Sequence, residues 1–215
     1  MEILLSTAYF PSIEYMACLF KASHVYIEKH ETYPKQSLRN RCYLASSQGI
    51  QALSIPVVKP NGNHTAVNEV LIDEKQDFRT HHLKTIQTLY QSAPFFEYYI
   101  DDVRDAIMFN ETNLVNYNMN ILEMLFRNII IKREVKFTLD FEKFLKEKID
   151  LRNLITTKHS CNCYKVINNA PKYFQVFSDK IGFLENLSIL DLLFNEGSNT
   201  PNILGEMSIN VASLG

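Results

Sequence analysis

The chain has 215 residues, 46% of them apolar and 12% aromatic, enough for a substantial core, and six Gly with seven Pro exclude a low-complexity sequence. A formal charge of −2 argues against a general nucleic-acid binder, which needs a basic face to displace counterions. Four cysteines, Cys18, Cys42, Cys161 and Cys163, form no dense disulfide pattern, position 2 is an acid with no basic leader behind it, and no apolar run reaches the length of a membrane span. The expectation is a cytoplasmic protein without membrane insertion.

In chain order, residues 2–7 (EILLST) predict a short buried strand, and AYFPS a turn in which Pro11 is suited to open a helix. SIEYMACLFKA then has helical spacing, with Ile13, Met16, Ala17 and Phe20 on one face, and HVYIE (24–28) is a second strand. A strand, a helix and a strand in that order open a parallel α/β sheet. RCYLASS and IQALSIPVV predict two more strands around a hairpin-type turn at SQG; KPNGNHT is a loop and AVNEVLID a further strand.

From about Asp77 the pattern turns helical. DFRTHHLKTIQTLYQSA is a helix with Asp77 at its start, and Ala93-Pro94 ends it. FFEYYIDDVRDAIMF and TNLVNYNMNILEMLFRNIII are two more helices, the second capped by Thr112 or Asn113. REVKFTLDF predicts a strand running into a helix capped by Asp140, residues 150–170 are irregular, and LENLSILDLLFNEG is an apolar helix stopped by Gly197. The fold class expected is α/β: an N-terminal parallel or mixed sheet with a Rossmann-like opening, followed by a mostly helical C-terminal half. A single domain over 1–215 is expected, its sheet-rich part at 1–76 and a mainly helical part at 77–215 packed on it.

The stretch YPKQSLRNRCYL gathers Lys35, Arg39 and Arg41 directly after the second strand. Arg offers a planar fork to carboxylate or phosphate, and ligands of α/β sheets sit beyond the carboxyl ends of the strands. The alternative is internal neutralisation by Glu28 and Glu31 just upstream. STAYFPSIEY turns sharply into a helix, where free backbone N–H groups favour anions, and Tyr9 and Tyr15 either shape a pocket there or pack in the core. No glycine-rich phosphate loop of either common form occurs, which argues against a Rossmann dehydrogenase or a P-loop NTPase. His82, in THHLKTIQTLY, is a candidate general base, with a capping or surface role as the alternative. HSCNCY brings His159, Cys161 and Cys163 together without a second ligand pair, so no metal site is expected. Asp191, inside the run ILDLLF, needs a partner for its carboxylate, and Arg39 or Arg41 is the expected one.

Taken in order, AYFPSIEYM, VYIEKHETYPKQSLRNRCYL, LSIPV, HHLKTIQTLYQSAPFFEYY and YFQVFSDKIGFLENLSILDLLFNEG resemble the WbqC-like protein family over most of the chain. The family opening commonly reads Gln-Pro-x-Tyr-Phe/Leu-Pro, where this chain has Ser6 and Thr7; the strand before the basic run often carries Asp, where this chain has Glu28. The resemblance singles out Tyr9, Pro11, Tyr15, Tyr33, Lys35, Arg39, Asn40 and Arg41 as substrate-binding positions and Asp191 as structural support. Family members occur in bacterial surface-polysaccharide gene clusters. The resemblance thus implies a transferase in O-antigen-like biosynthesis that binds a phosphorylated or nucleotide-linked donor at the RNR segment, with amino-acid (glycine) transfer to a sugar as one form. A non-catalytic scaffold of a polysaccharide assembly complex is the alternative. The implied partner is a small anionic substrate such as a nucleotide-sugar. No cofactor motif is evident; Mg2+ carried in by a nucleotide and a homo-oligomer are both compatible with the sequence.

Overall fold

The computed structural model describes residues 1–143, 148–155 and 163–210. Its strands and helices, in chain order, are β1 Glu2–Ser6, α1 Ile13–Lys21, β2 His24–Glu28, β3 Arg41–Ser46, β4 Gly49–Ser54, β5 Val57–Val58, β6 Leu71–Ile72, α2 Phe78–Tyr90, α3 Phe96–Met108, α4 Leu114–Ile129, β7 Val135–Phe137, β8 Ile149–Asp150, β9 Ile167–Asn168, α5 Ser178–Ile181, α6 Ile189–Glu196, α7 Thr200–Glu206 and β10 Ser208–Ile209. The fold is a mixed α/β one, as the alternation of strand and helix patterns predicts.

The central sheet has the order β7-β2-β1-β8, and every pairing in it is parallel. β1 and β2 lie inside, in register from Glu2 opposite His24 to Ser6 opposite Glu28. Their apolar runs follow from that position, because an inner parallel strand is covered on both faces. Ile3, Leu4, Leu5, Val25 and Ile27 are all buried. The outer strands come from beyond Asp77: Val135 pairs with Val25, and Ile149 with Ile3. The chain therefore builds outward from β1 to β2 and β7, then returns to place β8 on the other side of β1. That reversal leaves a crevice at the carboxyl ends of β1 and β8, the usual ligand position in an open parallel sheet.

The long connection from β2 to β7 carries the rest. β3 and β4 form an antiparallel hairpin from Arg41 opposite Ser54 to Ser46 opposite Gly49, as the pattern around SQG predicts. Asp77 caps α2, accepting from the backbone N–H of Thr80, and Asn113 caps α4, accepting from Val115 and Asn116. Several elements differ from expectation: IQALSIPVV is two strands, β4 and β5, broken at Ile55-Pro56, and residues 150–170, expected to be irregular, contain β9. AVNEVLID is a short 3-10 turn over Val67–Glu69 followed by the two-residue β6, whose Leu71 and Ile72 pair with β5 on one side and meet the Thr112–Asn113 segment on the other. In LENLSILDLLFNEG the helix begins at Ile189, where the Ser188 side chain accepts from Leu190 N–H; the residues before it turn to reach the β1–α1 loop. Of the helix expected after Asp140, residues 141–143 are not helical and 144–147 lie outside the described residues, as do His159 and Cys161.

Candidate functional site

Three separate segments meet at the exit of β1. The Tyr9 N–H donates to the Leu38 carbonyl at 2.9 Å, the Ile13 N–H to Leu187, and the Ile189 N–H to the Pro11 carbonyl. Ser188 Oγ donates to the Phe10 carbonyl at 3.0 Å. Phe10 is fully buried and has φ of 36°, a left-handed conformation that is strained for a bulky residue. The AYFPS, KQSLRNR and LSILDLLFNEG runs are thus one cluster: the second and third hold the first in its strained turn.

Beside this turn is a cleft of about 240 Å3, counted out to its open mouth. It runs along the crevice between β1 and β8, lined by residues 5–8, by Tyr15, by Leu38 and Arg39 and by Leu151, Arg152 and Ile155. Both arginines are nearly buried, at 6% and 7% exposure. Arg39 forks onto Glu31 (Nη2 2.6 Å, Nε 3.0 Å) and also donates through Nη2 to Ser6 Oγ at 2.6 Å. Its Nη1 has no hydrogen-bond partner among the described residues. Arg152 forks onto Asp150 (2.6 and 2.9 Å) and donates to Glu28 at 3.1 Å and to the Glu142 carbonyl at 2.8 Å. Bonding to Asp150 holds the Arg152 guanidinium even above its usual range.

Glu28, at the end of β2, is completely buried. Its carboxylate accepts from the His30 and Glu142 N–H groups, Thr138 Oγ1 and Arg152, so the buried charge is saturated with donors. Tyr15 donates its hydroxyl to the Ser6 carbonyl at 2.9 Å, and burial pushes the phenol well above its ordinary range.

The candidate residues fall into three groups. Tyr15 and Arg39 line the cleft. Tyr9, Pro11 and Tyr33 are buried around it; Tyr33 fixes its N–H on the Thr65 carbonyl, and burial raises its phenol to about 12. Lys35 is exposed, Arg41 donates to Ser54 Oγ at 2.8 Å, and Asn40 Nδ2 donates to the Ile55 carbonyl at 2.8 Å. The arginine cluster is thereby split: only Arg39 faces the cleft, and of the two carboxylates expected to neutralise the run, Glu31 pairs with it while Glu28 pairs with Arg152.

His82 lies outside the cleft lining at 2% exposure, with Nδ1 2.8 Å from the Tyr9 hydroxyl and a further hydrogen bond to the Ser54 backbone. Burial, and then His81 beside it, lower its titration to about 4, so the ring is neutral at pH 7 and takes the Tyr9 proton donor. Asp191 does not pair with Arg39 or Arg41. It accepts from the hydroxyls of Tyr90 (2.9 Å) and Tyr173 (2.5 Å) and from Gln175 Nε2 (2.9 Å), three neutral donors that spare the core a second buried charge. Arg152, Glu28, Ser6 and Glu31 were not singled out as substrate contacts in the sequence. The signal for Arg152 was slight: an Asp-x-Arg that begins on the last residue of a two-residue strand, within a stretch that reads as irregular.

Fold and site together define a parallel α/β protein with a charge-paired cleft at its strand-order reversal. The model of the WbqC-like protein family matches residues 7–174, and the chain belongs to that family. It is also similar to the uncharacterized protein Rv1507c of Mycobacterium tuberculosis (strain ATCC 25618 / H37Rv), with 26% identity over 194 residues covering 80% of this chain and 83% of that protein. No solved structure matches the chain. No helix among the described residues is long and apolar enough to cross a membrane.

Proposed function

We propose that the chain is a transferase of bacterial surface-polysaccharide biosynthesis whose cleft holds the anionic group of a phosphorylated or nucleotide-linked donor. One observation carries this: two nearly buried arginines, Arg39 and Arg152, line the same cleft at the strand-order reversal, each held by carboxylates in a fixed orientation. Pre-positioned guanidinium groups in a partly dry site favour phosphate or carboxylate oxygens strongly. Transfer of an amino acid such as glycine to a sugar is the finer form of this proposal and draws on the family's occurrence in polysaccharide gene clusters.

The test is thermal stability in the presence of inorganic pyrophosphate, nucleotide-sugars and amino acids, for wild type and Arg39→Lys. A ligand at 100 times its Kd adds about 2.7 kcal/mol, enough to raise the midpoint by several degrees. Lys retains the charge beside Glu31 and loses the fork, so a folded Arg39→Lys with a diminished shift supports the reading. Wild type that responds to none of these compounds sinks it. The scaffold alternative rests on a different observation: Arg39, Arg41 and Arg152 all have partners within the chain. It predicts no ligand shift and co-purification with another protein.

A further inference from the structure

The cleft is small. Ligand pockets that enclose most of a small molecule span roughly 300–1,000 Å3, and the enclosed part of this cleft is far smaller, because most of its 240 Å3 is open to solvent. Any ligand larger than a small anion therefore has to lie over the rim. An aromatic ring packs against Arg152, one of the residues lining the cleft. The Arg152 guanidinium carbon sits 5.3 Å from the centroid of the Phe141 ring. Phe141 is 51% exposed, and Leu139, two residues earlier, is 91% exposed.

Single exposed apolar side chains need no explanation. Phe141 differs because the chain fixes it in place. The next residue, Glu142, donates its N–H to Glu28 Oε2 at 3.0 Å and accepts from Arg152 Nη2 at 2.8 Å. Thr138, three residues before it, donates from Oγ1 to the same Glu28 carboxylate at 2.9 Å. The segment is thus tied down at both ends by the buried charges that orient Arg152, and Phe141 is left half-exposed. Fixing an aromatic ring against a cleft-lining arginine while keeping it wet costs free energy that a stacked ligand ring would recover.

We infer that Phe141 is a stacking platform for a planar ring, and that the ligand of this cleft is a nucleoside di- or triphosphate derivative: its phosphate between Arg39 and Arg152, its base on Phe141. This rests on the anion-binding reading above and extends it to the base. Stacking on one aromatic face tolerates any base, so the platform supplies affinity rather than base selectivity.

Titration calorimetry of the whole chain with two probes, adenosine diphosphate and inorganic pyrophosphate, tests this. Phe141→Ala is expected to weaken adenosine diphosphate roughly ten-fold and leave pyrophosphate unchanged, with Phe141→Trp restoring the wild-type value. Being half-exposed, position 141 tolerates both changes, and a thermal melt verifies the fold. If Phe141→Ala affects neither probe, or both equally, the platform is overturned while pyrophosphate binding keeps the anion site. If neither probe binds wild type, the anion site and the platform fall together.

Discussion

Two buried ionisable residues pull the stability of this protein in opposite directions as pH changes. Burial raises Asp191 to about 6 against an ordinary 3.8, opposed by its three donors. The folded state then binds more protons than the unfolded one between those values, so the Asp191 contribution is complete below pH 4 and is lost as pH rises through 6. His82, lowered to about 4 from 6.5, does the reverse: its contribution is complete above pH 6.5 and is lost as pH falls through 4. Each displacement corresponds to about 3 kcal/mol. Wild type is therefore expected to change little in midpoint between pH 4 and 6.5. Asp191→Asn removes one arm and leaves a stability that climbs over the same interval. Parallel curves for the two proteins would show that Asp191 does not titrate as described. Tyr9→Phe, which strips His82 Nδ1 of its donor in a closed environment, is expected to cost about 1–3 kcal/mol by denaturant titration.

At the scale of elements, the informative positions are the helix ends. α6 stops at Gly197, which has φ of +53°; a Cβ there would lie 2.5 Å from the Phe95 ring. Gly197→Ala meets both backbone strain and a clash, and a loss of more than about 1 kcal/mol is expected in equilibrium unfolding. α4 ends differently. Its C-cap is Ile130 at φ of 57°, a β-branched residue in the left-handed region, 74% exposed. Ile130→Gly relieves that strain with little packing to lose, and a rise of several degrees in the melting midpoint is expected; a fall would show that Ile130 contributes contacts its exposure does not suggest. The helix starts were legible beforehand, because Asp77 and Asn113 act through N–H groups two or three residues away. The start of α6 was not. Residues 184–188 have apolar spacing suited to a helix, but Leu187 and Ser188 are drawn out to bond the β1–α1 turn, Ser188 to a partner 178 residues upstream.

At the scale of the whole molecule, the carboxyl edge of the sheet is an alternating set of charges: Glu31, Arg39, Glu28, Arg152 and Asp150. Glu28→Ala leaves Arg152 short of a partner and frees Thr138 and the Glu142 N–H. It is expected to cost about 3–5 kcal/mol and to loosen the 138–142 segment, seen as faster amide exchange there.

By itself the sequence determined what short-range periodicity and local chemistry decide: the β1–α1–β2 opening, the β3–β4 hairpin, the helices α2 to α4 with the caps of α2 and α4, and a basic run placed just past a strand end. It also placed Glu31 close enough to neutralise Arg39, eight residues apart in the chain. Only the tertiary structure decided that β7 and β8 flank β2 and β1, that Arg152 lines the same cleft as Arg39, and that Asp191 is met by two phenols and an amide instead of a guanidinium. Those choices rest on pairings such as Glu28 with Arg152, 124 residues apart, and Tyr90 with Asp191, 101 apart. No local pattern encodes a partner at that separation; it is selected by which arrangement of all the elements leaves the fewest buried charges and donors unsatisfied.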